Sequence, residues 1–180
     1  MKRIFRRGAI KWAAPGLFLL GLVALVDADP GNDPRAPDLT AYPKLKVDEG
    51  NKVAFWAYAE GVQVYRWTGT AWAFVAPEAV LYDGDGEPVG THYVGPTWES
   101  ASGSYVVGVV MERATPDPDA IPWLKLQAID SDGSGVFDGT TFIQRVNTTG
   151  GKAPAVPGSF EDEIVRVPYT AEYYFYRKHR

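Results

Sequence analysis

A chain of 180 residues with 46 % hydrophobic side chains holds enough apolar material for the core of one ordinary domain. Its 18 Lys and Arg against 22 Asp and Glu give a formal charge of -4, and the basic clusters sit only at the two ends, which argues against a protein that works by neutralising nucleic-acid phosphates. With no Cys, disulfides, thiol nucleophiles and thiolate metal sites are excluded, while 19 Gly, 14 Pro and 13 % aromatics suit many short strands joined by tight turns.

The chain opens on a positive head (Lys2, Arg3, Arg6, Arg7, Lys11), followed by an apolar body from Ala13 to Val26 and a small-residue cleavage site ending at Ala28. That order predicts a signal peptide over residues 1–28, and hence an exported, periplasmic or extracellular protein with no membrane span after cleavage. Arg6-Arg7-Gly8-Ala9-Ile10-Lys11 resembles the twin-arginine export motif, an ordinary secretion head being the other reading. Residues 29–44 are polar and Pro-rich and read as a flexible arm. Residues 45–180 read as a single β domain.

Within that domain Val53 to Tyr58 and Val62 to Trp67 read as strands separated by a turn at Glu60-Gly61, and Thr68-Gly69-Thr70 signals a hairpin. Ala71 to Ala76 and Ala79 to Tyr82 follow around Pro77, and Asp83-Gly84-Asp85-Gly86 turns the chain again. Gly95-Pro96 and Ser102-Gly103-Ser104 punctuate the next stretch before the apolar run Tyr105 to Met111. Beyond a Pro/Asp-rich loop, Leu124 to Ile129, Thr141 to Val146, Ile164 to Val167 and Ala171 to Tyr176 read as strands, with Asn147 to Ser159 a flexible loop and the basic tail solvated. Turns recurring every ~8–12 residues predict an all-β fold, an antiparallel β-sandwich or a closed β-barrel with little helix.

His92 is the only histidine within the strand pattern, the other being His179 in the tail. It lies near Tyr93, Trp98 and Glu99, so an acid–base or metal role with Glu99 competes with a histidine bonded to backbone. From Asp130 to Asp138, oxygen-bearing Asp130, Asp132, Ser134 and Asp138 fall at positions one, three, five and nine with Gly135 at six, the layout of a calcium loop. Position twelve is Thr141 rather than glutamate, and the flanks are strand-like, so a plain Asp/Gly turn competes. No cofactor other than calcium at this loop is expected. The sequence carries no serine elbow, phosphate loop or dinucleotide fingerprint.

The segments GVQVYRW (61–67), VGTHYVGPTWE (89–99), DPDAIPWLKLQA (117–128), TFIQRVNTTGGKAP (141–154) and VPYTAEYYFY (167–176) resemble, in order, a secreted family known as domain of unknown function 3455. The resemblance runs from about Leu45 to Tyr176 and implies a shared fold without an established activity. Some fungal members are labelled malate dehydrogenase, a label discounted here because the chain has no dinucleotide-binding βαβ unit. It also implies cysteines in relatives near the positions of Trp67 and Ser159, both missing here, so any tether between those regions must be non-covalent. His92, Trp98, Glu99, Trp123, Gln144, Arg145 and Thr148 fall inside the recurring motifs. Long polar side chains interrupting apolar strands suggest that Gln63, His92, Gln144 and Arg145 border one polar patch, with Trp98 or Trp123 as its wall. The leading expectation is therefore a non-enzymatic domain that binds a small molecule, a glycan or a protein of the cell envelope. An enzyme centred on His92 and Glu99 and a purely structural envelope protein are the alternatives.

Overall fold

Side chains along an extended backbone point alternately to opposite faces, so a sheet that buries one face selects apolar residues at every second position. A computed structural model, which describes residues 33–179, uses that rule in eight strands. They are β1 (Asn51–Trp67), β2 (Trp72–Tyr82), β3 (Pro88–Tyr93), β4 (Thr97–Ser100), β5 (Tyr105–Ala114), β6 (Trp123–Asp132), β7 (Thr140–Gly150) and β8 (Ile164–Lys178). Each pairs antiparallel with the next, and β8 returns to β1, so the sheet is a closed up-and-down barrel rather than a sandwich. The signal-peptide region lies outside the described residues.

Several expected breaks are absent because glycine and proline serve other purposes there. Gly61 does not end a strand. It lets β1 pass close to β2, where an added Cβ would sit 2.1 Å from the Glu78 carbonyl oxygen and 2.5 Å from Ala79 Cα. Pro77 pairs with Gln63 beside a register shift at Val64/Tyr65, and Pro168 pairs with Val62 inside the continuous strand β8. β7 likewise runs on through Gly150, into the stretch expected to be loop. The basic tail is also partly engaged, Arg177 Nη2 donating to the carbonyls of Gly135 and Val136.

The barrel interior is filled by one cluster that includes Ala57, Leu81, Trp98, Val106, Leu126, Ile143, Tyr173 and Phe175. Phe137, from the β6–β7 loop, closes one end. It is fully buried, its ring centroid lies 4.6 Å from that of Phe175 and 5.8 Å from that of Phe55, and its backbone N–H donates to Ser104 Oγ. At the other end the loop after β7 is docked on Trp67 without a covalent tether. Trp67 N–H donates to Glu163 O at 2.8 Å, Asp162 N–H donates to Trp67 O at 2.9 Å, and Gly158 leaves no room for a Cβ against the indole.

The arm read over residues 29–44 is corrected for its described part, 33–44, which packs as a strap on the outside of the barrel. Leu39 and Leu45 are buried with Val146, and Tyr42, Trp123 and Tyr174 pack around them. The reason is spacing: three apolar side chains at 39, 42 and 45, the last ending the 3₁₀ turn Pro43–Leu45, meet an outer sheet face that is itself apolar. Asp33 anchors the start of the strap, accepting from Val53 N–H at 2.8 Å and Arg35 Nη2 at 2.9 Å. Burial raises the proton affinity of its carboxyl, but the hydrogen bonds from Arg35 and Val53 outweigh this and hold its pKa at about 2.

A packed strap and a free arm differ in what they contribute to stability. Leu45→Ala is expected to lower the free energy of urea unfolding by about 2–5 kcal/mol, the usual cost of emptying a buried leucine site. A cost near zero would mean that the strap is not part of the fold.

Candidate functional site

The β1–β2, β3–β4, β5–β6 and β7–β8 connections share the barrel end opposite Phe137, and a cavity of about 360 Å³ opens there. An eight-stranded barrel has an interior just wide enough for packed side chains or one small ligand. Here the packing side chains give way to a mixed lining of aromatic, aliphatic and polar groups, including Gln63, His92, Trp98, Arg145 and Tyr173. Among the described residues no Asp, Glu, Ser, Cys or Lys lines it.

Register explains how these groups meet. His92 on β3 pairs with Trp98 on β4, which puts both inward, and their rings stack at 4.3 Å with an interplanar angle of 4°. Gly108 on β5 makes space for the indole, since a Cβ there would lie 3.2 Å from Trp98 Cζ3. Arg145 on β7 pairs with Tyr173 on β8 and Leu124 on β6, and its Nε and Nη2 donate to Pro122 O at 3.1 and 2.9 Å. Tyr65 closes the edge by donating to Gly151 O at 2.7 Å.

His92 Nδ1 lies 2.8 Å from Thr97 O. A carbonyl only accepts, so the neutral ring carries its proton on Nδ1 and keeps Nε2 as an acceptor. Burial drives the imidazole pKa down from 6.5 to about 3, the Thr97 carbonyl opposing this and the Arg145 charge adding to it. Burial likewise raises the phenols of Tyr65, Tyr169 and Tyr173, only partly offset by Arg145, so all three stay protonated.

Four buried polar atoms of this interior, Gln63 Nε2, Trp98 Nε1, Tyr169 Oη and Tyr173 Oη, have no hydrogen-bond partner among the described residues. Arg145 lies close enough to Tyr169 and Tyr173, and Gln63 close enough to Tyr169, to oppose the rise in those phenols, yet Gln63 Nε2, Tyr169 Oη and Tyr173 Oη make no hydrogen bond of normal distance and angle among the described residues. A larger space of about 780 Å³ lies beneath the strap. Its buried polar side chains are already paired: Gln144 Nε2 donates to Leu45 O at 2.6 Å, Tyr176 Oη donates to Gln144 Oε1 at 2.5 Å, and Asn51 Nδ2 donates to Asp48 O at 2.9 Å. The barrel-mouth cavity is therefore the candidate site.

Of the expected patch, the structure brings together Gln63, His92, Trp98 and Arg145 and separates the rest. Gln144, next to Arg145 in the chain, faces outward and fastens the strap. Trp123 also lies outside, 5.4 Å from the Tyr42 ring. Glu99 pairs with Thr91, one residue out of step with His92, and accepts from Tyr93 Oη at 2.7 Å on the outer face. The proposed His92/Glu99 dyad is thus split by the sheet, because adjacent strand residues face opposite ways. Asp130 and Asp132 belong to β6 and pair with β5, and the described residues contain no cluster of three or more His, Cys, Asp or Glu side chains able to share a metal ion. The β6–β7 loop instead delivers Phe137 to the core.

Sequence reading overlooked Tyr65, Tyr169, Tyr173 and Arg113. The alternation Tyr169, Ala171, Tyr173, Phe175 carried the signal for two of them, all four being interior. Arg113 carried none, because the register shift between Val110 and Glu112 turns it to the cavity rim.

The unfolded chain binds a proton at His92 near pH 6.5, whereas the folded chain does so only near pH 3. Stability from this group is complete above pH 6.5 and falls as the pH drops toward 3, with a slope approaching ~1.4 kcal/mol per pH unit. Urea unfolding of the wild type should show that slope from about pH 6 to 5, before carboxylates titrate, and His92→Gln should flatten it. A flat wild-type profile over that range would show that His92 is protonated in the native state.

Comparison with curated proteins and with solved structures gives no match. The model of one family, described as protein of unknown function (DUF3455), matches residues 48–177, from just before β1 into the end of β8 and so across every strand that builds the cavity. The chain belongs to the DUF3455 family.

Proposed function

We propose that this is an exported binding protein that takes one small molecule into the mouth of its barrel without chemically transforming it. The observation that carries the reading is a largely apolar cavity lined by Gln63, Trp98 and Tyr173, three residues that each hold a buried polar atom (Nε2, Nε1 and Oη) without a hydrogen-bond partner among the described residues. A buried donor without a partner costs roughly 1–3 kcal/mol, and a ligand that supplies the missing acceptors recovers that cost on binding. The volume, about 360 Å³, falls within the range of small-molecule pockets. The basic head and apolar body of residues 1–28 support export to the periplasm or the cell exterior. A neutral His92 with no carboxylate in the lining supports recognition over acid–base catalysis.

A site kept for a ligand and a site kept for stability respond oppositely to removal of an unpaired hydroxyl. Tyr173→Phe should leave unfolding free energy unchanged within about 0.5 kcal/mol, or raise it, because the hydroxyl pays desolvation without a partner. The same change should shrink the rise in melting temperature that wild type shows with binding members of a panel of small aromatic and medium-chain aliphatic compounds. Clear destabilisation by Tyr173→Phe, with no compound raising the wild-type melting temperature, would favour a purely structural interior.

A further inference from the structure

We infer that the ligand of this cavity carries a carboxylate that docks on Arg145, joined to an apolar body that packs against Trp98 and Leu126. The inference rests on the binding reading above and deepens it. Its starting point is an imbalance of charge. Arg145 projects from β7 into the barrel mouth, yet among the described residues no Asp or Glu lines the cavity and no salt bridge involves it. Arg145 is half-buried, and a guanidinium partly withdrawn from water is costly unless an anion or several acceptors compensate it.

One carbonyl, that of Pro122, supplies part of the compensation through Nε and Nη2. A guanidinium has five N–H groups in a planar fork, so using the Nε/Nη2 edge leaves the Nη1/Nη2 edge free. Two parallel N–H groups at that edge match the two oxygens of a carboxylate. Pro122 thus acts as a splint that fixes the plane of the fork while leaving its binding edge open.

The surrounding groups fit the same chemistry. Gln63 Nε2 and Trp98 Nε1 can only donate, and Tyr173 Oη has a proton to donate, so the unpaired interior asks for acceptor oxygens. The positive charge of Arg145 is felt at His92, Tyr65, Tyr169 and Tyr173, which places its field across the whole cavity. Arg113, exposed at the rim, adds a second positive charge on the entry route. A single interior fork amid apolar walls suits a planar monoanion with a hydrocarbon or aromatic body better than a phosphate dianion, whose second charge and tetrahedral oxygens would go unmatched.

The test uses the 29–180 chain, exported or purified intact, and matched probes that differ only in the head group: benzoate, phenylacetate, indole-3-acetate and octanoate, each against its neutral amide. Titration calorimetry at neutral pH and low salt should show each binding frame favouring the carboxylate by roughly ten- to a hundred-fold, the usual effect of a charge-assisted pair. Arg145→Gln should bring the carboxylate-to-amide ratio to about one, Arg145→Lys should keep part of the preference, and Arg113→Gln should reduce it only a few-fold. Because Arg145 also holds Pro122, the melting temperature of each variant is read alongside, and the carboxylate-to-amide ratio within one folded variant decides the matter. Equal binding of amide and carboxylate by wild type would overturn the anion inference and leave the binding reading standing. A preference that persists in Arg145→Gln would overturn the assignment to Arg145. Failure of every frame in both forms, together with the wider panel, would overturn both readings.

Discussion

The pairing of β1 with β8, from Asn51 opposite Lys178 to Arg66 opposite Ile164, removes both edges of the sheet, and the rest of the molecule depends on it. An open sheet of the same strands would expose two rows of unpaired backbone groups and leave its concave face to be covered by another layer. Closure instead turns every inward residue of eight strands toward one axis, where only so much volume fits. Gly61, Gly90 and Gly108 are interior positions at which even a methyl group would meet a neighbouring strand or the Trp98 ring, so the narrowness of the barrel is written into its glycines.

The two ends of that interior are finished differently. At one end Phe137, Phe55 and Phe175 pack against each other, the Ser100, Ser102 and Ser104 hydroxyls bond among themselves and to the Phe137 backbone, and of the buried polar side-chain atoms among the described residues only Arg177 Nε lacks a partner there. At the other end large side chains are equally buried but their polar atoms are not satisfied. Native interiors rarely leave several such groups in one place, and those that do so give up stability there. The asymmetry locates the candidate site independently of any single residue, and it explains why the larger space under the strap is less informative, since its buried Gln144 and Tyr176 bond to each other and to Leu45.

The strap changes what counts as surface. By covering Val146 and Trp123 and taking the amide of Gln144, residues 33–45 convert an outer sheet face into a second small core. Gln144 and Arg145, adjacent and both inside a recurring motif, consequently do unrelated work: one fastens the strap and the other charges the cavity. The same division separates His92 from Glu99.

The sequence by itself determined the all-β class and the positions of the turns at Thr68–Thr70, Gly95–Pro96 and Ser102–Ser104. These are legible because turn chemistry and strand alternation are local properties, set by residues within a few positions of each other. It misread Gly61 and Pro77 as punctuation and split β8 between Val167 and Ala171, since whether a glycine ends a strand or admits a close neighbour depends on what lies across the sheet. Only the tertiary structure decided barrel over sandwich, packed strap over free arm, and which four of the seven expected site residues share a cavity. The reason is that a strand's facing is shifted by one residue at every bulge, and closure is a contact between its two ends, more than a hundred residues apart in the Trp56–Glu172 hydrogen bond that spans it.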